Sequence, residues 1–262
     1  MKIEVLLSTM HMKNDDIINE MNIKTNCTII NQCDNNDIFQ KESNGHLLNI
    51  INSNQRGLSK SRNMALKYAM GDIVLLADDD MIYVEDYEQI ILNVFDKYNE
   101  DIIAFQVEGI EKKFKTYRLK TCRINKLSSM KISSVEIAIR RSSLRDKELY
   151  FNELFGSGSI YKMGEENIFL FNCLEKGLKI RYVPIKIANL HMKNSTWFSG
   201  FNEKYFFDRG ATYYEMFGKL CDIFILQFIF RKRKNLQISM NQAWKFARKG
   251  KLDYIERKKN EN

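Results

Sequence analysis

The sequence predicts an α/β fold: a mostly parallel central sheet flanked by helices, followed by a helical, basic C-terminal extension. Two patterns carry this expectation. In the first half, short apolar runs alternate with helical patterns: IEVLL from Ile3, CTIIN from Cys27, LLNII from Leu47, IVLLA from Ile73 and DIIAF from Asp101. The runs are continuous and not alternating, as expected of strands covered by helices on both faces. After His191 the composition changes. An aromatic segment, STWFSGFNEKYFFDRGATYYEMF, precedes an apolar run at 223–230, the basic cluster RKRK at 231–234 and a basic tail. The boundary is therefore placed to give a domain at 1–200 and an extension at 201–262.

Between the third and fourth runs, residues 58–69 form a helix whose apolar face is Leu58, Ala65, Leu66 and Ala69, with Gly71 just beyond its end. Arg62 sits on that same face. A second helix, 85–98, follows the fourth run and completes a doubly wound pattern. Residues 111–131 are basic and weakly periodic and read as a loop or hairpin. SSVEIAI from Ser133 reads as a strand, FGSGS from Phe155 as a tight loop and 165–176 as a helix stopped by Gly177. KIRYV, just before Pro184, reads as a short strand.

Composition excludes several classes. A chain of 262 residues with 44% hydrophobic and 28% charged content is globular and not disordered, and one proline excludes a proline-rich linker. The longest apolar stretch, 223–230, is broken by Gln227 and falls short of the roughly 20 residues a membrane-spanning helix needs. MKIEVLLSTMHMKNDD lacks a long apolar core with a small-residue cleavage site, so the start is read as a strand and not a signal peptide, with a cytoplasmic location expected. Five cysteines without a C-x-x-C pair argue against a disulfide framework or a zinc site. A net charge of +8 is compatible with a nucleic acid, an anionic membrane face or a phosphorylated substrate.

The strongest local signal is GDIVLLADDDMIY, in which an apolar strand ends in Asp78, Asp79 and Asp80. The C-terminal end of a strand in a doubly wound sheet faces the ligand crevice. Three adjacent carboxylates repel there, and Mg²⁺ or Mn²⁺ held by one or two of them plus substrate phosphates relieves the repulsion. The plainer alternative is a solvated turn with a capping aspartate. Arg62, on an apolar face, needs an anion because unpaired buried charge is costly. Either a diphosphate or a salt bridge to the aspartates would serve.

Glu165 and Glu166 open a helix after a glycine-bearing loop. Helix-dipole stabilisation explains them without function; the functional reading makes one of them a general base whose pKa is raised by partial burial. His191 is a metal ligand only if the aspartates are ligands too. Asp34, at the end of the second strand, is either a turn residue or a carboxylate accepting the imide N–H of a uracil ring.

In their order along the chain, GLSKSRN from Gly57, the strand into DDD, and FGSGS…GEEN…GLKIRYVP resemble family 2 glycosyltransferases with the GT-A fold, of the bacterial capsular and exopolysaccharide type. The resemblance covers 3–191. It implies an inverting transfer of a sugar from a nucleotide-sugar donor, UDP-linked by preference, to a hydroxyl of a saccharide or lipid-linked acceptor, with Mn²⁺ or Mg²⁺ as cofactor. Residue by residue, it implies that Asp80, Asp78 and His191 hold the metal and that Ser8, Thr9 and Asp34 lie against the nucleoside. Asp78 and Asp79 face the donor, Arg62 and Arg209 the diphosphate. The family's Glu-Asp pair falls on Glu165 and Glu166, so a glutamate replaces the usual catalytic aspartate and the identity of the base stays open.

Residues 192–208 are expected to close over the donor. The extension reads either as an anchor on the anionic inner face of the cell membrane, or as helices packed on the catalytic domain or on a second subunit. Three rival readings are a degenerate, non-catalytic partner subunit, favoured by the Glu-Glu pair; a nucleotidyltransferase or other nucleotide-sugar enzyme of similar topology, whose usual glycine-rich loop after the first strand is absent from LLSTMHMK; and a nucleic-acid-binding protein. No RRM, KH or zinc-finger signature supports the last, and no nucleic-acid partner is expected.

Overall fold

The computed structural model describes residues 1–192 and 198–260. Residues 193–197 of the expected lid lie outside them. The chain begins with β1 (Ile3–Met10), α1 (Asp16–Glu20), β2 (Asn26–Gln32), β3 (Asp37–Ser43), β4 (His46–Ser53), α2 (Leu58–Tyr68), β5 (Ile73–Asp78), β6 (Met81–Tyr83) and α3 (Tyr87–Lys97). It continues through β7 (Ile102–Gly109), β8 (Cys122–Ile124), α4 (Lys126–Ser129), β9 (Ile137–Arg140), α5 (Arg141–Arg145), α6 (Glu165–Glu175) and β10 (Ile180–Leu190). The extension is α7 (Glu203–Phe217), α8 (Cys221–Lys232) and α9 (Met240–Asn260).

The strands form one sheet in the order β3-β4-β2-β1-β5-β9-β7-β10-β6, with β8 paired to β10. The five apolar runs are β1, β2, β4, β5 and β7, and β4-β2-β1-β5 are parallel as expected. Beyond β5 the sheet is mixed, although β7 and β10 still pair parallel. β9 enters antiparallel between β5 and β7, and β3, β6 and β8 also pair antiparallel. A continuous apolar run reports burial on both faces, not chain direction, so β9 looked the same either way.

Two further elements differ from expectation. Residues 134–136 form a 3₁₀ turn ahead of β9, so the strand starts later than SSVEIAI suggests. β10 does not stop before Pro184 but runs through it for 11 residues, and its register against β7 shifts between Tyr182 and Lys186. Proline removes one ladder donor, and the strand accommodates the loss as a bulge.

Helices cover both faces of the sheet, giving one apolar cluster around β1, β5 and α3 and another around β1, β5, α2 and α6. Glu4, buried in β1, accepts hydrogen bonds from Thr28 and from the backbone N–H groups of Met70 and Gly71, pinning the return from α2 to β5. A Cβ on Gly71 would lie 2.6 Å from that of Glu4, so only glycine fits there.

The extension packs on the α/β body. Phe155, Tyr161 and Tyr254 stack edge-on, Tyr161 donates to Asp253 at 2.6 Å and Tyr254 to Glu215 at 2.7 Å. α7 and α9 touch backbone to backbone: a Cβ on Gly210 would sit 1.8 Å from the Ala247 carbonyl oxygen, and one on Gly250 1.9 Å from that of Phe207. Gly250→Ala therefore tests packing against propensity. Alanine favours an isolated helix by about 1 kcal/mol, yet denaturant unfolding is expected to show a loss of about 1–3 kcal/mol as the helices are forced apart.

Candidate active site

The ends of β1 and β5 lie side by side, with Ser8 opposite Asp78 in register. Ser61 of α2 donates to Ser8 at 2.8 Å, and Thr9 donates to Asp79 at 2.6 Å. Above them the 155–161 loop is fastened to the start of α2: the Leu58 N–H donates to the Ser157 carbonyl and the Ser59 hydroxyl to that of Phe155. Gly164, at φ +88°, then starts α6, and a Cβ there would lie 2.4 Å from Thr212 of α7.

Arg62 is the hub. Its side chain is 2% exposed and contacts Asp78 at 3.0 Å, Glu165 at 3.2 Å and the Ser134 hydroxyl at 2.7 Å. Its Nε is buried without a hydrogen-bond partner. Burial opposes its charge, but Asp78, Glu165 and Glu166 more than offset this, so the guanidinium stays protonated.

The two glutamates are thereby differentiated. Glu165 is ion-paired to Arg62, whereas burial and the charge of Glu165 raise the Glu166 carboxyl to about 8. Asp80 is pushed up to about 6 by burial and by Asp78 and Asp79, and its Oδ1 is buried without a partner. The His191 N–H donates to the Asp80 carbonyl at 2.9 Å, and the His191 ring lies 2.9 Å from Glu111. Among the described residues no three His, Cys, Asp or Glu side chains converge tightly enough to enclose a metal. The orphaned Asp80 oxygen beside Asp78 and Asp79 suits a hard cation that keeps most of its ligands from phosphate and water.

A cavity of about 460 Å³ is lined by Arg62, Asp78, Glu165 and Glu166 together with Asn202, Lys204, Tyr205 and Asp208.

Residues 33–161 match the family described as Glycosyl transferase family 2. That segment, just under half of the chain, resembles a family 2 glycosyltransferase domain. No curated protein matches the sequence. Among solved structures, the glycosyltransferase resembles S. aureus TarS 1-349 in complex with UDP-GlcNAc, with TM-score 0.68 and 16% identity over 94% of this chain and 79% of that one. The same TarS region with UDP gives TM-score 0.63 and 16% identity over 89% and 72%. Longer S. aureus TarS gives 0.64 and 15% over 90% and 44%. At these identities the likeness establishes the GT-A fold.

The glycosyltransferase thus brings together Ser8, Thr9, Arg62, Asp78, Asp79, Glu165 and Glu166, with Asp80 and His191 linked through the backbone. Of the expected residues, Arg62, Asp78, Glu165 and Glu166 line the cavity itself, and Asp34 and Arg209 lie apart from the cluster. Asp34 is 89% exposed and paired with Arg56 at 2.7 Å. Arg209 lines a neighbouring cavity. Sequence reasoning missed Ser134, hidden in a stretch read as strand, and the group Lys162, Lys204 and Asp208. Lys204 and Asp208 are ion-paired at 2.5 Å one helical turn apart, and Asp208 also accepts the Lys162 backbone N–H at 3.3 Å. Their i,i+4 spacing was legible; their position at the cavity was not.

Arg62→Met is expected to cost about 3–5 kcal/mol in denaturant unfolding, because it strands Asp78 and Glu165 without their cation. The double variant with Glu165→Gln should recover part of that loss. A single variant as stable as the parent would show that the clamp is not structural.

Proposed function

We propose that this glycosyltransferase is an inverting, metal-assisted enzyme that moves a sugar from a nucleotide-sugar donor to a hydroxyl of a saccharide or lipid-linked saccharide acceptor in cell-surface polysaccharide synthesis. The TarS structures with UDP-GlcNAc and UDP support a UDP-linked donor. The observation that carries the reading is the split between Glu165, neutralised by Arg62, and Glu166, left at the same cavity with a raised pKa.

A general base works best when its pKa lies near the working pH, and Glu166 meets that condition. The Glu166 carboxylate takes the proton of the acceptor hydroxyl as its oxygen bonds to the anomeric carbon. The bond from that carbon to the donor phosphate oxygen breaks, and its electron pair leaves with the nucleoside diphosphate. Lys162 and Lys204 supply positive charge at the cavity. Mn²⁺ or Mg²⁺, held by Asp80 and Asp78 with His191 close by, would neutralise charge on the diphosphate. On α8 and the turn before it, Leu220, Ile223, Leu226 and Phe230 form an exposed apolar stripe near Arg233 and Lys234. That stripe supports a peripheral position on the inner face of the cell membrane.

Thermal unfolding with UDP, GDP, dTDP or CDP, each with and without Mn²⁺, tests the donor site. UDP at ~100 times its dissociation constant should add about 2.7 kcal/mol, only with metal and not in Asp80→Asn. No shift with any nucleotide would sink the reading.

The base is tested by pH. Activity should fall as pH drops below about 8, where Glu166 takes up its proton. Glu166→Gln should lower kcat by about 10²–10⁴. Because the folded carboxyl holds its proton above the ordinary range, Glu166 costs stability progressively as pH rises from the ordinary carboxylate range to about 8, and the cost is constant above that. Glu166→Gln should therefore melt higher than the parent at pH 9, with the gap closing near pH 4. A variant that keeps activity would assign the base elsewhere.

A further inference from the structure

A second cavity of about 470 Å³ adjoins the first, and Tyr205 lines both. It lies between α7, α8 and the segment that follows α4. Four cations line it, Lys131, Arg209, Arg231 and Lys232, and no acidic residue does. Among the described residues none of the four is ion-paired to a carboxylate.

Arg209 is held in place by its surroundings. Its guanidinium lies 5.0 Å from the Tyr205 ring, 5.2 Å from Tyr213 and 5.0 Å from Phe228, and it donates to the Tyr205 hydroxyl. Its Nε is buried without a hydrogen-bond partner. Arg231 packs on the Phe228 ring and Lys232 on that of Phe201. Ring quadrupoles offset part of this charge, but they accept no N–H in the plane of the guanidinium fork.

We infer that this cavity binds a phosphate-type anion carried by the acceptor, beside the cavity where transfer occurs. Four like charges around one solvent gap repel, and low-dielectric aromatic walls focus their field on whatever enters. A tetrahedral dianion relieves the repulsion and offers oxygens to the planar guanidinium fork, a geometry that carboxamides or hydroxyls match less well. The shared wall at Tyr205 puts the bound anion next to the hydroxyl that reacts. This assignment rests on the first cavity holding the donor, and it moves Arg209 from the donor diphosphate to the acceptor.

The test titrates sn-glycerol 3-phosphate into the full-length chain by calorimetry, alone and with saturating UDP and Mn²⁺, with glycerol and inorganic phosphate as controls. Saturable binding that UDP does not displace, absent for glycerol, is expected. Lys131→Ala combined with Arg231→Ala should weaken it at least tenfold while leaving UDP binding unchanged. Arg209→Lys, which keeps the charge and removes the fork, should weaken it several-fold in protein whose circular dichroism matches the parent. Displacement by UDP would place the anion in the donor site and overturn the inference, as would equal affinity in the double variant. Binding of inorganic phosphate but not glycerol phosphate would mark a free-anion site and overturn the acceptor role. UDP binding without glycerol phosphate binding removes the acceptor assignment alone. Failure of UDP to bind removes the donor reading and the acceptor assignment with it.

Discussion

A guanidinium that is 2% exposed must take its counter-charge from the protein, and Arg62 draws it from segments far apart in the chain. Asp78 comes from the end of β5, Glu165 from the first turn of α6 and the Ser134 hydroxyl from the turn before β9. Such a cluster adds little net stability, since desolvation consumes most of the Coulombic gain. What it does is make the relative placement of these segments obligatory, because losing either carboxylate leaves charge buried and undercompensated, and losing the hydroxyl leaves a buried donor unsatisfied. The same contact gives two adjacent glutamates different chemistry: one is spent on Arg62, the other keeps a labile proton. Separation of paired carboxyl groups by environment is a general way of assigning acid and base roles at neutral pH.

Much of this was legible in the sequence because it is written locally. A continuous apolar run ending in three aspartates shows where a buried strand meets the crevice, and an arginine at a position on the apolar face of a helix demands an anion nearby. The identity of that anion was not legible. Asp78 lies 16 residues from Arg62 and Glu165 lies 103, and only the folded sheet brings both to one guanidinium. The choice between Glu165 and Glu166 was closed to sequence reasoning for the same reason: neighbours on a helix point about 100° apart, and which one meets Arg62 depends on how α6 is aimed. Direction within the sheet was equally hidden. IAI in β9 satisfies a strand buried on both faces whichever way it runs, and Pro184 looked like a terminus because a bulge that rescues a proline leaves no local mark.

The extension forms part of the walls of the first cavity. α7 and its capping residue Asn202 supply Lys204, Tyr205, Asp208 and Asn202 itself to the cavity, and the closeness of α7 to α9 at Gly210 and Gly250 fixes where those side chains stand. The backbone contacts leave no slack between the two helices. The composition change after His191 is therefore a change from sheet to helix in the walls of one site.

The antiparallel insertion of β9 also bears on how the chain is made. β5 and β7 are both complete by residue 109, yet they are joined only through a strand that begins at Ile137. A nascent chain that has not yet released β9 from the ribosome carries two apolar strands, each with an open hydrogen-bonding edge, and open edges of that kind invite pairing with other chains. The stretch between β7 and β9 is mostly irregular and rich in Lys and Arg, so the chain that emerges while these edges stand open is cationic and self-repelling. Glu165 emerges later still, so Arg62 and Asp78 can meet before their third partner exists, and the cavity beside them closes only once α7 has followed.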